Sequence, residues 1–334
     1  MRDLICRAAV AVAAAAVLVL EVFVPPAEAA APTALYVSQG GFDSGVCTSA
    51  QPCATVTYAL SKAASGATIR VSGTIDDHPV ISHPVTITTW RGGPARSPAV
   101  LDGTASGAVV TVTGIGVTLN DLTIQNGSGG FAGGIFNEEG TLTVRNSTVT
   151  RNAGGNSGGG IGNYGGGTMT IINSTVTKNS DASGAAAGIN NTGTMTIIAS
   201  TIAGNTGLGI YSGQGRVASL GATIVADNTG GNCDGYDAGS LVSAGYNLTN
   251  AKTGKYCKFT AATDRVNKNP GLGPLAGNGG PTKTMLPATG GPADDVIPQT
   301  TTLRGVTVCP GTDQRGRTRP ATNDTRCTIG AVEV

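Results

Sequence analysis

Apolar and polar positions alternate with period two in several short runs, and the runs recur. TLTVRNSTVTRN at 141–152 returns as TMTIINSTVTKN at 168–179 and TMTIIASTIAGN at 194–205, with a degenerate copy, VASLGATIVADN, at 217–228. Each copy predicts two β-strands, such as Thr168–Ile172 and Thr175–Thr177, broken by a polar Asn-Ser corner. One set of side chains then points inward, in two columns: Val144, Ile171, Ile197, Leu220 and Val149, Val176, Ile202, Val225. The threonine pairs 141/143, 168/170 and 194/196 point outward. Periodicity of this size means one supersecondary unit stacked on itself. The glycine and asparagine density disfavours a helical hairpin repeat, since each glycine costs about 1 kcal/mol in a helix interior. Parallel pairing of successive coils satisfies both pattern and period, so the fold class is mostly β, a parallel β-helix.

GGI-type corners at Gly133-Gly134-Ile135, Gly159-Gly160-Ile161, Ala187-Gly188-Ile189 and Leu208-Gly209-Ile210 separate the strand pairs. Their isoleucines predict a third strand, and the small residues before them a turn, including through positive φ. Asn152, Asn179, Asn205 and Asn228 close the copies, and Asn126 precedes Asn152 by 26 in an apolar register offset by one. These five asparagines predict an internal ladder whose amides satisfy corner backbone groups.

Four stretches divide the chain. Residues 1–29 read as a signal peptide: Arg2 and Arg7 flank the start, an apolar run covers 8–20, and Ala27-Glu28-Ala29 offers a cleavage site. Residues 30–54 form an entry segment with a cystine loop. Residues 55–230 hold the repeats, beginning with a short helix at 57–64 that covers the first coil. Residues 231–334, richer in charge and proline, hold the last coils and an irregular tail. Eight to ten coils are expected, and no membrane span remains in the mature chain.

Export places the cysteines in an oxidising compartment. Apart from Cys6, six remain, in three sequence-local pairs that predict Cys47–Cys53, Cys233–Cys257 and Cys309–Cys327 as disulfides. Two histidines and no CxxC spacing argue against a metal site, and no cofactor motif occurs. A net charge of +1 with 12% charged residues leaves no basic field for nucleic acid. A monomer is expected.

SAGYNLTN at 243–250, NPGLGPLAGNGGPTKTMLP at 269–287, TDQRGRTRP at 312–320 and CTIGAVE at 327–333 together resemble the choice-of-anchor Q proteins. The resemblance implies a bacterial exported protein with right-handed parallel β-helix repeats of the pectin-lyase-like fold. It also implies a secreted or cell-surface location; with no LPxTG-like signal before Val334, release is expected over anchoring.

Pectin-lyase-like folds host polysaccharide lyases and hydrolases, which need carboxylate clusters or paired carboxylates. Asp121, Glu138, Glu139, Asp181 and Asp227 do not recur at coil spacing, and Glu138-Glu139 reads as a solvated loop. Asp76-Asp77-His78 with His83 is the best acid–base candidate but reads as a polar corner before the strand starting at Val85, its course fixed by Pro79 and Pro84. Asn232, Asp234 and Asp237 offer oxygens beside Cys233, where a cystine loop is the expectation. Asp313 and Arg315 read as a tie for the tail. A catalytic reading would gain if Asp102, Asp121 and a basic side chain met in one groove. Phe136, Tyr164 and Tyr211 follow the GGI corners and are the candidate ligand-binding residues, able to stack on sugar faces. The expected function is therefore non-catalytic binding of a polysaccharide or cell-envelope glycan, with a lyase or hydrolase as the alternative.

Overall fold

The computed structural model describes residues 33–334, apart from 95–96, 156, 184–185, 214, 236–240, 253–255, 310 and 323. The signal-peptide segment, Cys6 and Asp237 lie outside the described residues.

Three long parallel sheets wind around one core, beside a short fourth of Ser128–Gly129, Ala153–Gly154 and Ser180–Asp181. The first has nine strands, from Ala34–Ser38 to Leu241–Gly245, and the second nine, from Thr74–Asp76 to Arg265–Val266. The third has seven, from Val80–Ile81 to Cys233–Gly235. The third sheet therefore sets seven complete coils, fewer than the eight to ten expected, because both end strands of the first sheet and the last two of the second belong to incomplete turns. The repeats extend past residue 230 through Leu248–Thr249 and Arg265–Val266.

Strand register aligns like with like. Ile69, Ile87, Leu119, Val144, Ile171, Ile197 and Leu220 are successive partners of the first sheet, all fully buried. Leu101, Ile124, Val149, Val176, Ile202 and Val225 do the same in the second. Outward threonines also align beyond the three repeats, from Thr68 and Thr86 through Thr118 to Thr143, Thr170 and Thr196. One slip of a residue would turn a whole inward column outward, so burial fixes the register.

The corner after the second sheet carries the asparagine ladder. Nδ2 of Asn152, Asn179 and Asn205 donates to Oδ1 of the next rung at 3.0, 3.0 and 2.8 Å. The backbone N–H of each rung donates to the same oxygen, and each Nδ2 also reaches a carbonyl of the preceding coil. Asn228 closes on Asn232, which binds Asn250 and so continues the ladder rather than forming a cation site.

Asn126 is not a rung. Gly127 holds that slot and donates to Asn152 Oδ1, while Asn126 takes the left-handed position that Arg151, Lys178 and Asp227 occupy in later coils. Asparagine tolerates that conformation, and its side chain turns outward to Asp102 Oδ2 at 2.8 Å. The one-residue offset of its apolar register is the physical cause.

A second ladder, absent from the sequence expectations, runs inside the third sheet. Asn137, Asn163 and Asn191 are fully buried and bond in series at 2.7 and 2.8 Å. The glycines of the GGI corners have close contact, not positive φ, as their reason. A Cβ on Gly160 would lie 2.7 Å from Gly188 O and 2.9 Å from Asn179 Nδ2.

The N-terminal end is closed. A helix, Val56–Leu60, is capped by Thr55 and buries Val56, Ala59 and Leu60. Disulfides join Cys47–Cys53, Cys233–Cys257 and Cys309–Cys327. The tail lies along the outer face of the second sheet, where Ala293, Ile297, Val308 and Ile329 build a second apolar cluster with Ile224 and Leu248.

Candidate functional site

Two outer faces separate by what covers them. On the second sheet the tail seals the middle and later coils. Buried Gln314 donates to Ser147 O and Thr148 Oγ1 and accepts from Thr175 Oγ1 at 2.7 Å. Asp313 anchors that segment: its carboxylate accepts from the Arg315 and Arg317 amides, Arg315 Nε and the Glu333 amide.

Upstream of the tail the same face stays open. There Asp76 and Asp102 are register partners on adjacent coils, about 4.8 Å apart along the axis. A 340 Å³ groove lies beside them, lined in part by Gln125, Arg151 and Lys283. Burial opposes ionisation of Asp102, but hydrogen bonds from Gln125, Thr104 and Asn126 and the Arg151 charge outweigh it, so its pKa lies below the usual value. Such a carboxyl is a poor proton donor. Asp121 sits at the opposite end of the strand that bears Gln125, bonded to Arg91 at 2.9 Å, so Asp102 and Asp121 do not meet in one groove.

The Asp76–His78 corner is structural. Asp77 accepts from the Thr57 amide and hydroxyl, both at 2.7 Å, holding the start of the helix. His78 Nδ1 lies 2.8 Å from the Ala108 carbonyl. Among the described residues no group of three or more His, Cys, Asp or Glu could hold a metal.

The outer face of the third sheet carries the aromatic residues. Phe136, Gly162, Asn190 and Tyr211 are successive partners in one outward column. Tyr164 lies two residues past Gly162, and its ring leans back over it: a Cβ on Gly162 would be 2.6 Å from Tyr164 Cε2. The glycine thus makes room for a ring, and the column reads Phe136, Tyr164 ring, Asn190, Tyr211.

Phe131, which the sequence reading missed, completes the shelf. Its ring stacks near Phe136 at 5.7 Å and meets Tyr164 edge-on at 5.8 Å, while Phe136 and Tyr164 are 5.7 Å apart. Phe131 remains 60% exposed, a large apolar area held open to water. Tyr211 lies outside the three-ring cluster, three coils along the column from Phe136. The only sequence signal for Phe131 was an aromatic residue just ahead of a GGI corner.

Polar groups sit between the rings. Tyr164 Oη donates to the Ser157 carbonyl at 3.3 Å, and Asn190 Nδ2 donates to the same oxygen. Burial and the Asp181 charge raise the Tyr164 pKa, so the phenol stays a neutral donor. Asn190 Oδ1 is buried and has no hydrogen-bond partner. A second groove, of 430 Å³ and lined by Thr104, Asn126, Ser128 and Arg151, opens three residues before Phe131. Ser128 and Phe131 are therefore no more than about 11 Å apart at Cα, and groove and shelf adjoin. Rigid coplanar strands, exposed rings and flanking hydrogen-bonding groups suit an extended, hydroxyl-rich polymer.

No protein-family model and no curated protein matches this chain. Among solved structures, the crystal structure of pectate lyase Pel9A is similar over 90% of this chain and 96% of its own, at 12% identity and a TM-score of 0.49.

Proposed function

We propose that this is an exported, non-catalytic parallel β-helix protein that binds a glycan along the outer face of its third sheet, acting as a monomer in the extracellular space or at the cell surface. The cluster of Phe131, Phe136 and Tyr164, three rings within 5.8 Å of one another, two of them on sheet strands, carries this reading. Folding makes no use of an exposed Phe131, whereas a sugar face stacked on it would bury it. Tyr211 extends the contact along the axis, and the adjoining groove supplies hydrogen-bonding groups. The three disulfides and the leader-like residues 1–29 support export. The GPLAGNGGPT and DQRG-x-x-RP segments support a place among the choice-of-anchor Q proteins. No helix among the described residues is long and apolar enough to cross a membrane.

The Asp76–Asp102 register pair favours a second reading, a polysaccharide lyase or hydrolase. Size-exclusion chromatography of plant, algal and bacterial polysaccharides after incubation with the purified protein separates the two. Binding predicts intact chains with protein shifted into the polymer peak. Shortened chains, absent with heat-killed protein, would replace binding by catalysis; intact chains without a shift would refute both.

A further inference from the structure

The third-sheet face is unusual in its charge. None of its described strands contains lysine or arginine. The flanking segments 127–140 and 152–167 add only Glu138 and Glu139, the described residues of 179–213 add only Asp181, and Arg151 of the adjoining groove acts on Asp102 of the second sheet. Asp234 follows Tyr211 in the outward column. Glu138, exposed, is the register partner of Tyr164 itself, and the Asp181 charge is felt at the Tyr164 phenol.

Asn190 supplies an independent observation. It is 8% exposed and stands in the aromatic column between the Tyr164 ring and Tyr211. Its amide nitrogen is turned to the Ser157 carbonyl, which only a donor can face, so the oxygen is the free end. That oxygen has no partner within the protein. A buried acceptor left unmade is costly, and a ligand donor beside the rings would satisfy it.

With the shelf as a glycan site, we propose that its ligand is a polymer bearing protonated amines, a glucosamine-type glycan, with an ammonium donating to Asn190 Oδ1. The ring faces attract a cation through their quadrupoles, and the carboxylates of Glu138, Asp181 and Asp234 favour positive charge. An acidic glycan meets the same carboxylates as like charges and is disfavoured. Neutral sugars keep the stacking but lose the charge-assisted contact.

Isothermal titration calorimetry of the purified protein with hexamers of glucosamine, N-acetylglucosamine and galacturonate, at a pH where the amine is protonated, tests this. The expected order is glucosamine first, at least about tenfold tighter than the N-acetyl form, as a hydrogen bond to a charged donor implies, with galacturonate unbound. Asn190→Leu should cost about tenfold for glucosamine and less for the N-acetyl form, and exposed Glu138→Gln should weaken glucosamine alone even if Asn190→Leu fails to fold. Equal binding of the acetylated or acidic hexamer would overturn the amine assignment and leave the glycan reading standing. Binding of no oligosaccharide would overturn both.

Discussion

The outer faces of the second and third sheets come from the same coils yet carry opposite surfaces. On the second, the tail descends on Thr148, Thr175 and Thr201, and Gln314, the Lys283 carbonyl and the Ala331 amide replace the water those threonines would otherwise hold. On the third, nothing among the described residues covers Phe131, and Asn190 keeps a free oxygen. The tail closes the middle and later coils of one face while aromatic rings stay uncovered on the other, and that contrast is why the proposed glycan site lies on the third sheet.

The largest effect should come from the interior that both faces share. Asn179→Ala strips the Asn152 N–H and Nδ2 of their acceptor and the Val149 carbonyl of a donor, and should cost about 3 kcal/mol in urea unfolding. Gln314→Leu breaks only the covered face. A loss of about 2 kcal/mol, with the third-sheet shelf still binding, would show the two faces to be energetically separate. A loss of binding as well would couple them.

Phe131→Ala works in the opposite sense. An exposed ring contributes little to folding, so stability should stay within about 0.5 kcal/mol, while glycan affinity falls by up to about tenfold. Smallest of all is Asn126→Gly, which keeps the left-handed corner and removes only an outward hydrogen bond; below about 1 kcal/mol is expected. A cost as large as that of Asn179→Ala would return Asn126 to the ladder.

Asp102 adds a weak pH dependence on the open part of the second sheet. Its folded pKa lies below its ordinary 3.8, so its stabilisation is present above that value and is lost as pH falls through the folded pKa. The stability difference between wild type and Asp102→Asn should therefore shrink on acidification below the ordinary carboxylate range, read by thermal melts across acid pH.

What the chain revealed follows from the range of each cause. Val149, Val176, Ile202 and Val225 are legible because strand period and coil repeat both act locally, and the asparagines that close each copy are legible for the same reason. Asn126 misleads because the strand register before the corner sets it opposite Arg151, so Gly127 fills the rung. Asn137, Asn163 and Asn191 hide among glycines without flanking alternation, and Asn232 beside Cys233 reads as a loop oxygen until Asn228 is seen to reach it. The shelf was half legible: Phe136, Tyr164 and Tyr211 share a face through the GGI corners, but Phe131 joins them only through the path of its loop. The closure of the second sheet depends on contacts such as Gln314 to Thr148, 166 residues apart, which no local pattern encodes.

The most direct measurement is affinity electrophoresis of wild type and the double variant Phe131→Ala/Phe136→Ala through gels containing the polysaccharide that shifts the wild-type protein. A glycan-binding third sheet predicts retarded wild type, a variant that runs as it does in an empty gel, and unfolding midpoints that stay close. Equal retardation of both proteins would contradict the account.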